Sequence, residues 1–369
     1  MTMVDARYAV ICAPHVGNAG MFSVDLAARN FFSGRGVDFD LFLPQKNEDT
    51  NLDEYRLVSS LDELKVYSHV IYWGDFLTNP IYGYGDFPRR SIRWNLSDSK
   101  PEAVRRWKSI FNPVKSDSST AFLVIGGNFQ HDFGKYGRKF DHVFKRLERS
   151  MRTVFVRDPL SCQSLSRQFT HAGMQKIICG IDCAFLQDVP PPRVSEDDCF
   201  VYFFKRSKLK DPIAMVRAIE DRTGIRGIEL SSWLRLDRAS WHSDFAALKD
   251  RLTNARFAVT DTYHLCINAM HSRCPVFGIG RSQPEQIGTI GDLKKKVLFD
   301  MFDLGDFYIE FEDQAAEEGL SRAVSDRIAW YMADRTRHDD MFLLVEARTR
   351  QFARSIERAL DLPVTEPLS

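Results

Sequence analysis

The feature that most constrains this chain is a rhythm. Short apolar runs, each stopped by glycine or a polar residue, alternate with stretches of helical spacing. YAVICA at residues 8–13 opens the series. VDFDLFL at 37–43, VYSHVIYW at 66–73, TAFLVI at 120–125, TVFV at 153–156 and KIIC at 176–179 follow. Runs of this length and composition, bounded by turn signals, fit buried strands. Between them, residues 21–32 place Met21, Val24, Leu26, Ala28, Phe31 and Phe32 at helical spacing. Residues 101–111, 139–151 and 159–169 read as further helices. A parallel crossover needs a helix, so this alternation dictates a mostly parallel sheet covered on both faces. Residues 78–100, rich in Pro, Gly, Asn and Ser, read as a long surface loop.

The rhythm stops at VPPPRVSEDD, residues 189–198, a stiff linker, and then restarts. Residues 199–204, 227–230, 257–260 and 276–279 read as strands. Asp211 and Pro212 open a helix as cap and first residue, and Gly224 closes it. Ser243 is expected to cap a helix running to Asn254. A helix spans about 262–272, and residues 313–333 and 338–360 form long terminal helices. The expected fold class is α/β, with two Rossmann-like doubly wound domains facing a cleft. Their bounds are 1–190 and 196–335, with a C-terminal helix and tail over 336–369. A chain of 369 residues is long enough for two such cores.

Composition excludes several classes. Positive and negative side chains balance to a formal net charge of zero, so no electrostatic case exists for a nucleic acid partner. No apolar stretch reaches the length of a transmembrane helix. The basic helix at 139–152 leaves peripheral contact with a membrane or an anionic polymer open, beside the plainer reading of a solvated face. MTMVDARYAVICAP lacks the layout of a signal peptide. The seven cysteines are scattered and form no C-x-x-C pair. A cytoplasmic, reducing location and no metal site are therefore expected.

Open parallel sheets bind ligands beyond the carboxyl ends of their strands, and this rule selects candidates. In the first half they are His15, Asn18 between Gly17 and Gly20, Asp75, Asn128, Arg157 and Asp182. In the second half they are Lys205, Arg206, Thr262, Tyr263, His264 and Arg281. Gly17 to Gly20 can admit an anion to a helix start or simply form a turn. Lys205, Arg206 and Arg281 can hold phosphate or carboxylate, or belong to a basic solvated loop. Asp158 can cap the helix that Pro159 starts, with Arg157 pairing a carboxylate. His264 falls in the first turn of its helix, where the dipole disfavours a charged imidazole. It is either an acid–base group or a ring bonded to a neighbouring carbonyl.

Several of these stretches, taken in order, resemble the polysaccharide pyruvyl transferase family. Gly17-Asn18-Ala19-Gly20 is similar to the family's Asn-x-Gly-Asp loop. Phe155-Val156-Arg157-Asp158-Pro159-Leu160-Ser161, with Leu165, resembles its Val-Arg-Asp-x-x-Ser-x-x-x-Leu segment. Gly180-Ile181-Asp182-Cys183-Ala184-Phe185 resembles its Pro-Asp-x-Ala-Phe turn. Thr262-Tyr263-His264 through Cys274-Pro275-Val276 resembles its Arg-Leu-His segment and Gly-x-Pro-Val. The resemblance spans roughly residues 8–310.

It implies a GT-B-like pair of domains, the first on the acceptor side and the second on the donor side. The implied donor is phosphoenolpyruvate, a substrate rather than a cofactor. Pyruvate becomes a ketal across two sugar hydroxyls, and phosphate leaves. His264 stands at the family's histidine and is expected to protonate the enol methylene; Asp182 is the second catalytic candidate. The implied partner is a saccharide or lipid-linked saccharide in polysaccharide or glycoconjugate assembly. Two positions depart from the pattern. Thr262 replaces the family's arginine before the histidine, and Met21 replaces its N-terminal aspartate, with Asp25 one turn later. Two alternatives stay open: a GT-B glycosyltransferase using a nucleotide sugar, and a non-catalytic saccharide-binding protein.

Overall fold

The structure is a computed structural model that describes residues 7–14, 17–46, 54–113, 120–188, 197–237, 239–282, 292–311, 317–334 and 336–362. The chain divides into two compact units. The first comprises Met1–Val16, Met21–Asp188 and Arg350–Ser369; the second comprises Gly17–Gly20 and Val189–Thr349.

The first unit is built on seven parallel strands. They are β1 (Arg7–Ile11), β2 (Asp38–Leu43), β3 (Arg56–Leu57), β4 (His69–Trp73), β5 (Ala121–Gly127), β6 (Met151–Val156) and β7 (Ile177–Cys179). Their order across the sheet is β3-β2-β1-β4-β5-β6-β7. The chain winds outward from β1, then returns to pair β4 on its other side, which makes β1/β4 the topological switch point. Central strands with both faces covered are apolar throughout, and all five residues of β4 are buried. Tyr72, Trp73, Trp107 and Phe144 are buried almost completely, each contributing on the order of 2 kcal/mol or more of hydrophobic stabilisation.

The end of the C-terminal helix Thr336–Ala359 belongs to this unit. Phe352 meets Phe155 edge-on at 5.9 Å. Gly180 makes room for it, since a Cβ there would lie 2.3 Å from the Phe352 ring. Arg35 pairs with the buried Glu357 at 2.6 Å, and Arg152 binds both oxygens of Asp361 at 2.7 and 2.9 Å.

The second unit has five parallel strands: β8 (Cys199–Phe203), β9 (Arg226–Glu229), β10 (Ala258–Thr260), β11 (Val276–Arg281) and β12 (Tyr308–Phe311). The order β12-β11-β10-β8-β9 puts the switch point between β8 and β10. Phe200 and Phe257 stack at 5.0 Å in its core. Asp211 caps the helix Pro212–Thr223 by accepting from the Ala214 N–H at 2.8 Å, and Gly224 ends it at φ 69°.

Several expectations from sequence need correction. Residues 78–100 are not one loop: helices cover Pro80–Tyr84 and Asp86–Arg93. Asn79 caps the first, with Oδ1 accepting from the Ile81 N–H at 2.9 Å. Gly83 looks like a turn residue but serves packing, because a Cβ there would fall 2.1 Å from the Trp107 ring. Ser243 is not the cap of its helix. That helix begins at Trp241 after Ser240, and the Ser243 hydroxyl donates to the Ser240 carbonyl. Strand β4 starts at His69 rather than residue 66, and Val66 is 73% exposed. Strands β3 and β12 carry no clear sequence signal. Residues 189–196 of the linker lie outside the described residues. Among the described residues no helix is long and apolar enough to cross a membrane.

Gly126 adopts φ 73° where β5 shifts register against β6, and a Cβ there would lie 2.3 Å from Cys183 Sγ. Both the left-handed backbone and the clash oppose a side chain. Gly126→Ala should lower unfolding stability by about 2 kcal/mol or more in urea titration; an unchanged midpoint would contradict this.

Candidate functional site

The second unit closes its own switch point. Asp261 follows β10, is 1% exposed, and turns its carboxylate toward the loop after β8. Oδ1 accepts the Lys205 N–H at 2.9 Å, and Oδ2 accepts the Arg206 and Ser207 N–H groups at 2.7 and 2.6 Å. Three successive N–H groups pointing at one spot make an anion nest. Here the anion is part of the chain. The flanking threonines tie the same corner together. Thr260 Oγ1 donates to the Phe203 carbonyl at 2.7 Å and accepts from the Thr262 N–H at 3.0 Å. Thr262 Oγ1 donates to Asp261 Oδ1 at 3.2 Å.

Two cations brace this loop from beneath. Lys295, 1% exposed, donates to the carbonyls of Asp261 and Ile279 at 2.6 and 2.7 Å and to Ser207 Oγ at 3.2 Å. It also pairs with Asp292 at 2.8 Å. Arg281 donates to the carbonyls of Ser207 and Lys208 at 2.7 and 2.8 Å. Arg281 is therefore engaged with backbone. Lys205 and Arg206, whose N–H groups are held by Asp261, are themselves exposed. The loop is rigid at its backbone and presents two cationic side chains outward.

His264 stands three residues beyond Asp261, in the first turn of the helix Tyr263–His271. From Asp261 to Met270 every residue is buried except His264, which keeps partial exposure. Its ring meets that of Tyr263 at 5.2 Å and 69°. The Lys294 ammonium lies 5.0 Å from the centre of the Tyr263 ring. The Asn268 amide donates to the His264 carbonyl at 2.8 Å.

The segment Gly17–Gly20 packs against this histidine. Ala19 N–H donates to the Trp233 carbonyl at 2.9 Å, and Leu236 N–H donates to the Gly17 carbonyl at 2.8 Å. Asn18 Oδ1 accepts the Gly20 N–H at 2.9 Å. A Cβ on Gly20 would stand 2.5 Å from His264 Cβ and 3.0 Å from Nδ1. Glycine is thus required for close approach to the imidazole. His15 lies outside the described residues.

The first unit assembles a separate polar group at its own strand ends. Asp75 (φ 49°) follows β4, and its carbonyl accepts the Asn128 N–H at 2.8 Å. Asn128, fully buried, accepts the Gln130 N–H through Oδ1 at 3.2 Å. Its Nδ2, and both side-chain polar atoms of the buried Gln130, have no hydrogen-bond partner among the described residues. Asn79 Nδ2 donates to the Asn128 carbonyl at 2.9 Å and reaches His131 Nδ1 at 3.0 Å. Arg157 is 2% exposed, between Asp158 at 3.3 Å and Asp182 at 3.4 Å. Both carboxylates also cap backbone: Asp158 accepts Ser161 N–H at 2.6 Å, and Asp182 accepts Ala184 N–H at 3.0 Å. Among the described residues no three His, Cys, Asp or Glu side chains gather in a metal-binding arrangement.

Sequence reasoning missed Lys294, Lys295, Asn79, Gln130 and His131. A run of three lysines reads as a solvated face. Yet Lys295 precedes Leu298 and Phe299 by three and four positions, so it shares their buried face, and that spacing was available as a signal. Asn79 and the residues it touches were hidden by the expectation of a loop over 78–100.

The profile of the polysaccharide pyruvyl transferase family matches residues 26–283. The chain belongs to this family. The match takes in Arg157, Asp182, Lys205, Arg206, His264 and Arg281, and leaves Asn18 outside. No curated protein is significantly similar in sequence. Solved structures with similar folds include one from Listeria monocytogenes provisionally assigned as a UDP-N-acetylglucosamine 2-epimerase. It is 10% identical, with a TM-score of 0.50 over 99% of this chain and 100% of that one. HepE from Anabaena, solved with UDP and glucose, is also 10% identical, with a TM-score of 0.50 over 96% and 99% of the two chains. These likenesses concern fold alone: two Rossmann-like units of the GT-B class.

Relative to the family pattern, Met21 stands where an aspartate is usual, and the nearby carboxylate is turned into the core. Asp25 is fully buried, accepts from the Tyr55 hydroxyl at 2.9 Å, and lies beside Cys12 and Arg29. Burial pushes its carboxyl from 3.8 up to about 7, against the opposing pull of Tyr55, Arg29 and Cys12. Folding therefore takes up a proton between about pH 4 and pH 7, and stability falls as pH rises through that window. Asp25→Asn should flatten this slope relative to the unaltered chain, by up to about 4 kcal/mol across the window. Denaturant titrations from pH 5 to pH 8 check it, and parallel curves for the two proteins would contradict it.

Proposed function

We propose that the protein moves pyruvate from phosphoenolpyruvate onto two hydroxyls of a saccharide, as a cyclic ketal. The observation that carries this reading is His264: a partly exposed imidazole in an otherwise buried stretch, three residues from the corner that fixes Lys205 and Arg206. Family membership supplies the reaction class, and this geometry supplies groups suited to it.

Phosphoenolpyruvate carries a phosphate and a carboxylate, so its binding needs positive charge. Lys205 and Arg206 take that role, on a backbone already locked by Asp261. Arg281 and Lys295 support the loop, and Lys294 adds a third cation near Tyr263. Thr262 donates to Asp261, so the charge that an arginine supplies elsewhere in the family comes here from the loop after β8. His264 gives a proton to the methylene carbon, which becomes the methyl group. The adjoining carbon then accepts one sugar hydroxyl, phosphate departs, and a second hydroxyl closes the ketal. Two hydroxyl protons are released: one restores His264 and the other leaves with phosphate.

The saccharide, free or lipid-linked, falls to the first unit in this proposal. Asn128 Nδ2 and the Gln130 amide, which have no hydrogen-bond partner among the described residues, suit sugar hydroxyls, and Asp75 is a further contact. Asp182 works through Arg157 as a positioning residue, since it is already committed to Ala184 and Arg157.

Incubation with phosphoenolpyruvate and a panel of saccharides should release inorganic phosphate only when both are present. His264→Ala should reduce kcat by roughly 10²- to 10⁴-fold with the fold intact by circular dichroism. Release of nucleotide from UDP- or GDP-sugars instead, or an undiminished rate in His264→Ala, would overturn the proposal.

A further inference from the structure

The chain as a whole balances 50 basic against 50 acidic side chains, but the balance is not local. Residues 80–150 hold fourteen Lys and Arg against seven Asp and Glu. They form β5 and the helices on either side of it in the chain. The crossovers from β4 to β5 and from β5 to β6 step the same way across the sheet, so their helices cover one face of it. Contacts join these helices. Tyr84 Oη lies 3.0 Å from Nε2 of His142, on the helix Asp141–Ser150. The ammonium of Lys108, on the helix Lys100–Phe111, stands 5.3 Å from the centre of the Tyr84 ring.

The two signs are also segregated. Asp86, Glu102 and Asp141 lie in the first turns of their helices, where they complement the backbone dipole. Asp132 accepts the Gly134 N–H at 3.1 Å, and Glu148 accepts the Thr170 N–H at 3.2 Å. Arg89, Arg93, Arg105, Lys145, Arg146 and Arg149 are all exposed. Among the described residues only Arg89 of these six forms an ion pair, with Asp86 at 2.9 Å. The surplus is felt locally: burial, then Lys108 and Arg146, hold the His142 imidazole below its ordinary value against the pull of Asp141. Apolar side chains share the surface. On the helix Asp86–Arg93, Ile92 is 40% exposed beside Arg89 and Arg93, and the partly exposed Trp94 follows.

We propose that this face docks on an anionic lipid bilayer. Lipid headgroups present a plane of negative charge, which matches cations spread over three helices. Cations alone would suit a soluble polyanion equally. Ile92 and Trp94 favour the bilayer, because apolar and aromatic groups gain contact at the boundary between headgroups and acyl chains. The helix Pro80–Tyr84 begins beside Asn79, whose amide donates to the Asn128 carbonyl. Docking therefore brings the polar group at the strand ends of the first unit toward the lipid surface. Capture of a lipid-linked saccharide there rests on the function proposed above; the docking itself does not.

The test is co-sedimentation of the full chain with vesicles of phosphatidylcholine, alone or mixed equally with phosphatidylglycerol. The chain should sediment with the mixed vesicles only, and added salt should release it. The triple variant Lys145→Glu, Arg146→Glu, Arg149→Glu should bind about tenfold or more weakly, with an unchanged circular dichroism spectrum. Reversal of exposed cations of the second unit, in Arg217→Glu, Arg226→Glu, should leave binding as it is. Ile92→Ser should weaken vesicle binding severalfold and leave binding to dextran sulfate unchanged. Equal sedimentation with neutral and anionic vesicles, or undiminished binding by the triple variant, would overturn the proposal. Vesicle binding untouched by Ile92→Ser would also overturn it and assign the face to a soluble anionic polymer.

Discussion

A single carboxylate organises the second unit. Asp261 accepts three consecutive N–H groups from the loop after β8 and fills the crevice that a doubly wound sheet leaves at its switch point. An unfilled nest of that kind is a ready phosphate site. Once an internal anion occupies it, a ligand must be met by side chains instead. The rest follows from this constraint. Lys295 and Arg281 are drawn beneath the loop to its carbonyls, Thr260 and Thr262 tie the same corner, and Lys205 and Arg206 extend outward from a fixed backbone. Removing the carboxylate would leave three donors to find other partners, each at a cost of about 1–3 kcal/mol where buried.

The same corner sets the histidine. The helix after β10 buries Tyr263 and Leu265 on either side of it, which leaves His264 as the partly exposed member of its turn. Gly20 can lie against the ring because it lacks a side chain. A residue far away in sequence is therefore part of the second unit, and its glycine is explained by close approach rather than by turn geometry. The two unusual positions in the family motifs gain physical content from these contacts. Thr262 belongs to the hydrogen-bonded corner, and Asp25, the carboxylate one turn beyond Met21, is turned into the core of the first unit.

Much of the fold was legible in the sequence because buried parallel strands announce themselves as short apolar runs. YAVICA, TAFLVI and CFVYFF could hardly be anything else. Caps at Asp158 and Asp211 were legible too, each followed by proline. What escaped shares a cause: the decisive information was tertiary. Gly83 reads as a breaker until Trp107 is seen against it. Lys295 reads as solvated until its helix is docked. The candidate site was legible as a set of strand ends, including His264, Lys205 and Arg206. The division of labour among the cations was not, since no local pattern distinguishes Arg281, held by carbonyls, from Lys205 and Arg206, which face solvent.

The central claim is that an anionic enol donor binds at the exposed cations of the loop after β8, within reach of His264. Imidazole NMR of histidine-labelled protein, titrated with phosphoenolpyruvate, tests it most directly. The His264 signals should shift saturably, and the Lys205→Ala, Arg206→Ala double variant should weaken that response about tenfold or more, the scale expected when charge-assisted hydrogen bonds are lost. Saturable binding that leaves the His264 signals unmoved, or that is unchanged in the double variant, would contradict the account.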